Sequence, residues 1–350
     1  MPAKPPFRPY VVPHPDARRG RGSISNASGR FETEQREALD DGWGNLDAEP
    51  PPLRTHVTID STRSIIARND SPDIPFDRSI NPYRGCEHGC IYCFARPTHA
   101  YLGLSPGLDF ESRLFAKPEA ARLLERELRA PTYRCQSIAM GTNTDPYQPI
   151  ERQYQIMRQV LQVLAAFNHP LSIVTKSALV TRDLDILGPM AAQRLVKVAL
   201  SVTTLDRQLA RAMEPRAATP ERRLDTIRAL AKAGVPAALM IGPVIPGLND
   251  SEIERIVEAA AAAGATEAGY IVLRLPLEIK DLFREWLAER VPLRAERVMK
   301  LVREMRGGKD YDPQFGLRMI GRGPYAELIG KRFRQACKTH GLNQRRLDLD

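Results

Sequence analysis

Residues 77–93 read DRSINPYRGCEHGCIYC. Asp77 to Asn81 is a short run suited to a β-strand, and the proline and glycine after it turn the chain into a polar loop. That loop presents Cys86, Cys90 and Cys93 in the spacing Cys-x3-Cys-x2-Cys. Three thiolates so placed can hold three corners of a 4Fe-4S cube and leave one iron open to a further ligand. A structural zinc is the rival, with His88 inside the loop or His99 beyond it as fourth ligand. Zinc knuckles, however, usually pair their ligands across a dozen or more residues, whereas Cys135 and Cys337 stand alone.

Outward from this loop, short apolar runs alternate with stretches of helical period, the pattern of βαβ units around a parallel sheet. Six strands are expected: 77–81, 136–141, 171–176, 195–201, 236–241 and 269–273. Helices are expected over 117–128, 151–167, 219–233 and 251–263, the third capped by Thr219 with Pro220 in its first turn. Parallel strands place reactive groups at their C-terminal ends. The polar segments GTNTDPYQPIE, TKS, SVTT, GPVIPGLND and RLP do follow strands two to six. The expected fold is therefore α/β: a partial (β/α)6 TIM-like barrel over 54–278, preceded by a disordered N-terminal arm over 1–53 and followed by a small helical C-terminal extension over 279–350.

The 350 residues carry a net charge of +9 and only five cysteines, which excludes a disulfide-stapled miniprotein. No apolar run approaches the ~20 residues that cross a bilayer, and the first residues lack a secretory apolar core, so no membrane partner and a cytoplasmic location are expected. The arm holds six prolines in its first thirty residues along with Arg8, Arg18, Arg19 and Arg21. With the basic residues of 279–350 these would suit a polyanion, and equally a solvated surface.

The cysteine triad, with Tyr92 directly before its last member, resembles the signature of the radical S-adenosylmethionine superfamily, and the six units over about 77–276 match that family's partial barrel. Within it, NPYRGCEHGCIYCFAR and GTNTDPYQPIER are most similar to the branch that includes spore photoproduct lyase and its uncharacterised bacterial relatives. The resemblance implies a 4Fe-4S cluster on Cys86, Cys90 and Cys93. It also implies S-adenosylmethionine on the open iron, cleaved reductively to a 5′-deoxyadenosyl radical that abstracts hydrogen from an unknown substrate, a DNA lesion among the candidates. Cofactor contacts are implied for Tyr92 at the adenine, for Gly141, Thr142, Thr144 and Asp145 at the methionine amino group, and for Ser201 and Thr203 at the ribose or carboxylate. Arg223 matches an arginine that binds the cofactor carboxylate. Ile245 and Gly247 match an adenine-contacting element, from which Pro243 and Asp250 depart. An external electron donor of flavodoxin or ferredoxin type is implied as partner; the oligomeric state is not.

Other strand-end residues have two readings. Lys176 and Arg274 point to the mouth of the barrel, where each could hold a carboxylate or phosphate; a surface cation ending a strand is the plain alternative. Glu151 reads as an acidic cap of the next helix. Cys135 and Cys337 read as buried small hydrophobes. The competing function is a non-catalytic nucleic-acid-binding module with a structural metal.

Overall fold

The computed structural model describes residues 15–16, 18–32, 52–345 and 349. Six strands run parallel in one sheet: β1 (Arg78–Ile80), β2 (Ile138–Met140), β3 (Leu171–Thr175), β4 (Val196–Ser201), β5 (Ala237–Val244) and β6 (Glu267–Val272). They follow one another in sequence order across the sheet, and the strand Ile66–Arg68 joins β1 antiparallel at the outer edge. Each expected strand is present. In-register pairs such as Ile173↔Val198 and Leu200↔Leu239 fix the neighbours.

Alternation along the strands divides the two faces. Leu171, Ile173, Val198, Leu200, Leu239 and Ile241 are buried in the main core against helix residues such as Leu164, Ile227 and Ile256. The intervening Ser172, Val174, Ala199, Ala238 and Met240 are half-buried on the inner face. β6 does not pair with the strand Ile66–Arg68, so the barrel is partial and its interior opens as a cleft.

The covering helices are α1 (Ala120–Leu128), α2 (Ile156–Ala166), α3 (Leu184–Ala192), α4 (Pro220–Lys232) and α5 (Ile253–Ala262). Thr219 caps α4 by accepting the Arg222 N–H, as its position before Pro220 suggested. The expected helix over 151–167 is divided, because Gln155 adopts φ +50° between a short turn at Glu151–Tyr154 and α2. α3 was not expected: Gly188 and Pro189 mask its apolar period, although both lie within it.

Three longer helices, α6 (Ile279–Arg290), α7 (Pro292–Glu304) and α8 (Pro324–Thr339), follow β6 among the described residues. α6 buries Leu282, Phe283, Trp286 and Leu287 in a second apolar cluster that includes Ile91 and Tyr92 of the cysteine loop. Full burial of each such side chain stabilises by about 1.5–3 kcal/mol. α8 lies on α5, with Phe333 4.8 Å from the Tyr270 ring of β6. Among the described residues no helix is long and apolar enough to cross a membrane.

Two expectations are corrected. Residues 18–32, assigned by composition to a disordered arm, are packed as an extended strap in which Arg18, Arg21, Ser23, Ile24 and Ser25 are buried. Serine, glycine and arginine supply little apolar area but many hydrogen bonds, and partners far along the chain satisfy them. The remainder of the arm, 1–14, 17 and 33–51, lies outside the described residues. Cys135 is exposed rather than buried, because it precedes β2 instead of entering it. Cys337 is buried, as expected.

Candidate metal centre

The loop after β1 is held by backbone bonds within itself and to the segment around Phe110. Gly89 N–H donates to Cys86 O at 3.3 Å, Cys93 N–H to Cys90 O at 3.2 Å and Cys86 N–H to Phe110 O at 2.9 Å. Gly89 has φ +67°, and a Cβ on it would fall 2.6 Å from the Glu111 carboxylate. Arg96, three residues past the last cysteine, is fully buried. Its Nε donates to Cys90 O at 2.9 Å, and its terminal nitrogens donate to Gly89 O at 3.1 Å, Pro106 O at 3.0 Å and Gly107 O at 2.9 Å. Glu111, equally buried, meets the charge at 2.5 Å. Neither residue was singled out from sequence; the local sign was an arginine set between Ala95 and Pro97 in a segment too apolar for a surface helix.

Cys86 and Cys90 are buried and Cys93 half-buried, and all three line the cleft. Burial pushes all three thiols up; for Cys86 the Asp145 charge and the other two cysteines add to this. A cationic centre is what would hold such sulfurs as thiolates, so the donor set fits an iron cluster. Of the two histidines that a zinc site could use, His88 lines the cleft with the cysteines and His99 does not. His88 Nδ1 lies 3.3 Å from Asp145 Oδ2, though not aligned as a hydrogen bond. His99 is buried with Nε2 2.9 Å from Arg113 O and its ring 5.2 Å from that of Phe110. Burial drives its pKa down to about 4. Among the described residues no three His, Cys, Asp or Glu converge on one ion position. A cubane takes one thiolate per iron and requires no such convergence.

The segment after β2 brackets the cysteine loop. Thr144 Oγ1 donates to Gly85 O at 2.7 Å. Gln148 donates to the same carbonyl at 3.2 Å and accepts Glu87 N–H at 2.9 Å. Asp145 accepts Thr175 Oγ1–H at 2.7 Å and Lys176 N–H at 2.8 Å, joining the ends of β2 and β3 beside His88. Burial alone would raise this carboxyl, but the His88 charge and these donors outweigh it and hold the pKa down to about 2. Asn81 ties β1 to Thr142 at 3.1 Å and to Asn143 N–H at 2.9 Å. Glu151 accepts Met157 N–H at 3.0 Å in the first turn of α2, the capping role its position implied.

Across the cleft, Lys176 Nζ lies 3.1 Å from Ser201 Oγ and 5.6 Å from the centre of the Tyr92 ring. Behind Tyr92 is an enclosed polar group. Glu214 accepts from the Tyr92 hydroxyl, from Thr203 Oγ1 at 2.6 Å and from Arg223, which also donates to Ser201 O at 2.9 Å and Ala218 O at 2.8 Å. Burial raises the Glu214 carboxyl despite Arg223 beside it.

Of the residues singled out, Tyr92, Gly141, Thr142, Thr144, Asp145, Ser201, Lys176 and Arg274 line the cleft with the three cysteines. Thr203, Arg223 and Ile245 are buried outside the cleft lining, and Gly247 lines a separate depression with Asp250, Arg297 and Tyr325. Ile245 is buried in the cluster containing Tyr92, and the Gly247 N–H donates to Asp250 at 2.9 Å. Gly242 and Pro243 at the end of β5 reach the cleft instead. At the mouth, the Arg274 guanidinium covers the half-exposed Phe94 ring at 4.9 Å.

The family model described as the Radical SAM superfamily matches residues 80–260. An uncharacterised protein of Mycobacterium tuberculosis (strain ATCC 25618 / H37Rv) is 42% identical over 232 residues, covering 66% of this chain and 68% of that protein. An uncharacterised protein of Methanocaldococcus jannaschii is 29% identical over 174 residues, covering 49% of this chain and 62% of that one. Among solved structures, spore photoproduct lyase complexed with dinucleoside spore photoproduct superposes with TM-score 0.58 at 16% identity, over 82% of this chain and 80% of that one. A variant of that lyase with bound AdoMet and the same dinucleoside superposes equally, with TM-score 0.58 at 15% identity over the same shares.

Proposed function

The chain belongs to the radical SAM superfamily, and from that premise we propose that it binds a 4Fe-4S cluster through Cys86, Cys90 and Cys93, together with S-adenosylmethionine. When bound, this pair supplies reductive cleavage of the sulfonium to a 5′-deoxyadenosyl radical that takes a hydrogen atom from the substrate. The observation that carries the reading is the meeting of the three cysteines, the Lys176 ammonium and the Ser201 hydroxyl on one cleft at the strand ends.

The protein's own residues bind, orient and exclude water. Lys176 has no carboxylate partner within salt-bridge distance among the described residues and is set to neutralise the cofactor carboxylate, with Ser201 beside it. Gly141 and Thr142 offer backbone at the end of β2 to the amino group, and Tyr92 offers its ring edge to the adenine side. Thr144, Asp145 and Gln148 are positioning residues that act through the cysteine loop. Thr203, Glu214 and Arg223 act through Tyr92 and the end of β4, and Ile245 and Gly247 shape the end of β5. An external donor of flavodoxin or ferredoxin type supplies the electron. For substrate the reading extends to a DNA lesion, with Phe94 available for stacking and Arg274 for a phosphate at the mouth.

The test is anaerobic reduction of the reconstituted protein with S-adenosylmethionine, followed by chromatography. Formation of 5′-deoxyadenosine and methionine is expected; intact S-adenosylmethionine beside a reduced cluster would overturn the reading.

A further inference from the structure

The strap, residues 18–32, belongs to a basic segment of the sequence that the cofactor reading leaves without a role. It reaches the cysteine loop by backbone rather than by charge. Gly22 N–H and Ser23 N–H each donate to the Glu111 carboxylate at 2.8 Å, filling the lone pairs that Arg96 leaves. Arg96 in turn holds the carbonyls of Gly89 and Cys90. Glu111 therefore joins two strap amides to the carbonyls of the cluster loop, with every group in the chain of contacts buried.

The approach is as close as backbones allow. A Cβ on Gly22 would fall 1.8 Å from Gly89 O, so only glycine fits where the strap crosses the loop. Ile24, the strap's buried apolar side chain at this crossing, enters the cluster formed by Cys90, Ile91, Tyr92 and Phe283. Arg216 fastens the leading end, donating to Gly20 O at 3.2 Å and to Glu87 of the loop at 2.7 Å. Arg21 donates to Glu111 O at 2.6 Å. Further on, Ser25 Oγ–H donates to Glu285 of α6 at 2.6 Å, and Asn26 exchanges two bonds with Asp109 at 3.0 and 2.9 Å.

We infer that the strap braces the cysteine loop from outside the cleft, coupled to it through Gly22, Ser23 and Glu111, so that seating of the strap and retention of the iron–sulfur group stabilise each other. This rests on the cluster reading of the preceding subsection. Glu111 is a positioning residue: it touches no cysteine sulfur and acts through Arg96 and the strap amides. Linkage makes the coupling reciprocal, so a strap that slows loss of iron must itself be held more firmly when iron is bound.

The experiment uses the full chain, reconstituted anaerobically, with two readouts. The first is the rate at which bathophenanthroline disulfonate strips iron, followed by absorbance. The second is hydrogen exchange of peptides spanning 18–29, compared between cluster-loaded and metal-free protein. Gly22→Ala, which forces strap and loop apart, is expected to speed iron loss by roughly fivefold or more, the lower end of ordinary coupling between sites. In the wild-type chain the strap amides are expected to exchange more slowly with the cluster than without it. Should Gly22→Ala fail to fold, the double variant Ser25→Ala/Asn26→Ala loosens the strap from α6 and Asp109 without touching the cysteine loop, and is expected to act in the same direction. Iron loss unchanged in the folded variant, or strap exchange indifferent to the cluster, overturns the inference while the cluster reading stands. A wild-type chain that takes up no iron and sulfide defeats both.

Discussion

Arg223 and Glu214 form an enclosed ion pair behind the Tyr92 side of the cleft, their side chains 1% and 0% exposed. An arginine at this place in the sequence resembles a cofactor-carboxylate ligand, yet its three donor groups are spent on Glu214, Ser201 O and Ala218 O. Its removal leaves the buried Glu214 carboxylate without its counter-charge. Arg223→Met is therefore expected to cost about 3–5 kcal/mol in the metal-free protein, read as a lower urea midpoint. A variant as stable as wild type that loses only S-adenosylmethionine affinity would restore the direct-ligand role.

Lys176 is the opposite case, an ammonium lining the cleft near a hydroxyl and an aromatic ring. Lys176→Gln should leave iron content and folding unchanged. A charge-assisted hydrogen bond contributes about 1.5–3 kcal/mol, so the affinity for S-adenosylmethionine should fall roughly ten- to hundredfold. Equilibrium dialysis under anaerobic conditions measures it, and unaltered affinity would remove Lys176 from the site.

His99 makes stability depend on pH. Burial lowers its folded pKa from 6.5 to about 4, so the unfolded chain binds the proton first. A group with a depressed folded pKa contributes stability in full above 6.5, and that contribution is lost as pH falls towards 4. The window of about 2.5 units corresponds to about 3 kcal/mol. Unfolding of metal-free protein should follow this slope, and His99→Gln should flatten it between pH 6.5 and 4.

Gly141 ends β2 with φ +86°, and a Cβ there would fall 2.1 Å from Val174 O on the neighbouring strand. Gly141→Ala should destabilise by about 2 kcal/mol or more, since both backbone conformation and sheet spacing oppose it. Thermal unfolding of the variant beside wild type checks this, and an unchanged midpoint would show that the strand ends can part.

The strands and the cysteine loop were legible because they are local. β3 reads as a short apolar run and the triad as a spacing. What escaped depends on pairs far apart in the chain. Glu111 binds Gly22 across 89 residues and Tyr92 meets Glu214 across 122, and no window of sequence places those partners together. The strap failed for a related reason: Gly, Ser and Arg give no hydrophobic period, so its order resides in donors whose acceptors lie elsewhere. Gly188-Pro189 hid α3 because breakers are tolerated where the helix packs on the sheet. Thr144 and Asp145 lie just past β2, but the Thr144 side chain is turned to the cysteine loop and that of Asp145 to the end of β3, a distinction that requires the fold.

A 4Fe-4S cluster on Cys86, Cys90 and Cys93 has a direct chemical readout. Iron, zinc and acid-labile sulfide are to be measured per chain after anaerobic reconstitution, in wild type and in Cys90→Ala. About four irons and four sulfides are expected in wild type, with loss of the cluster but not of the fold in the variant. One zinc per chain with no sulfide would contradict this expectation.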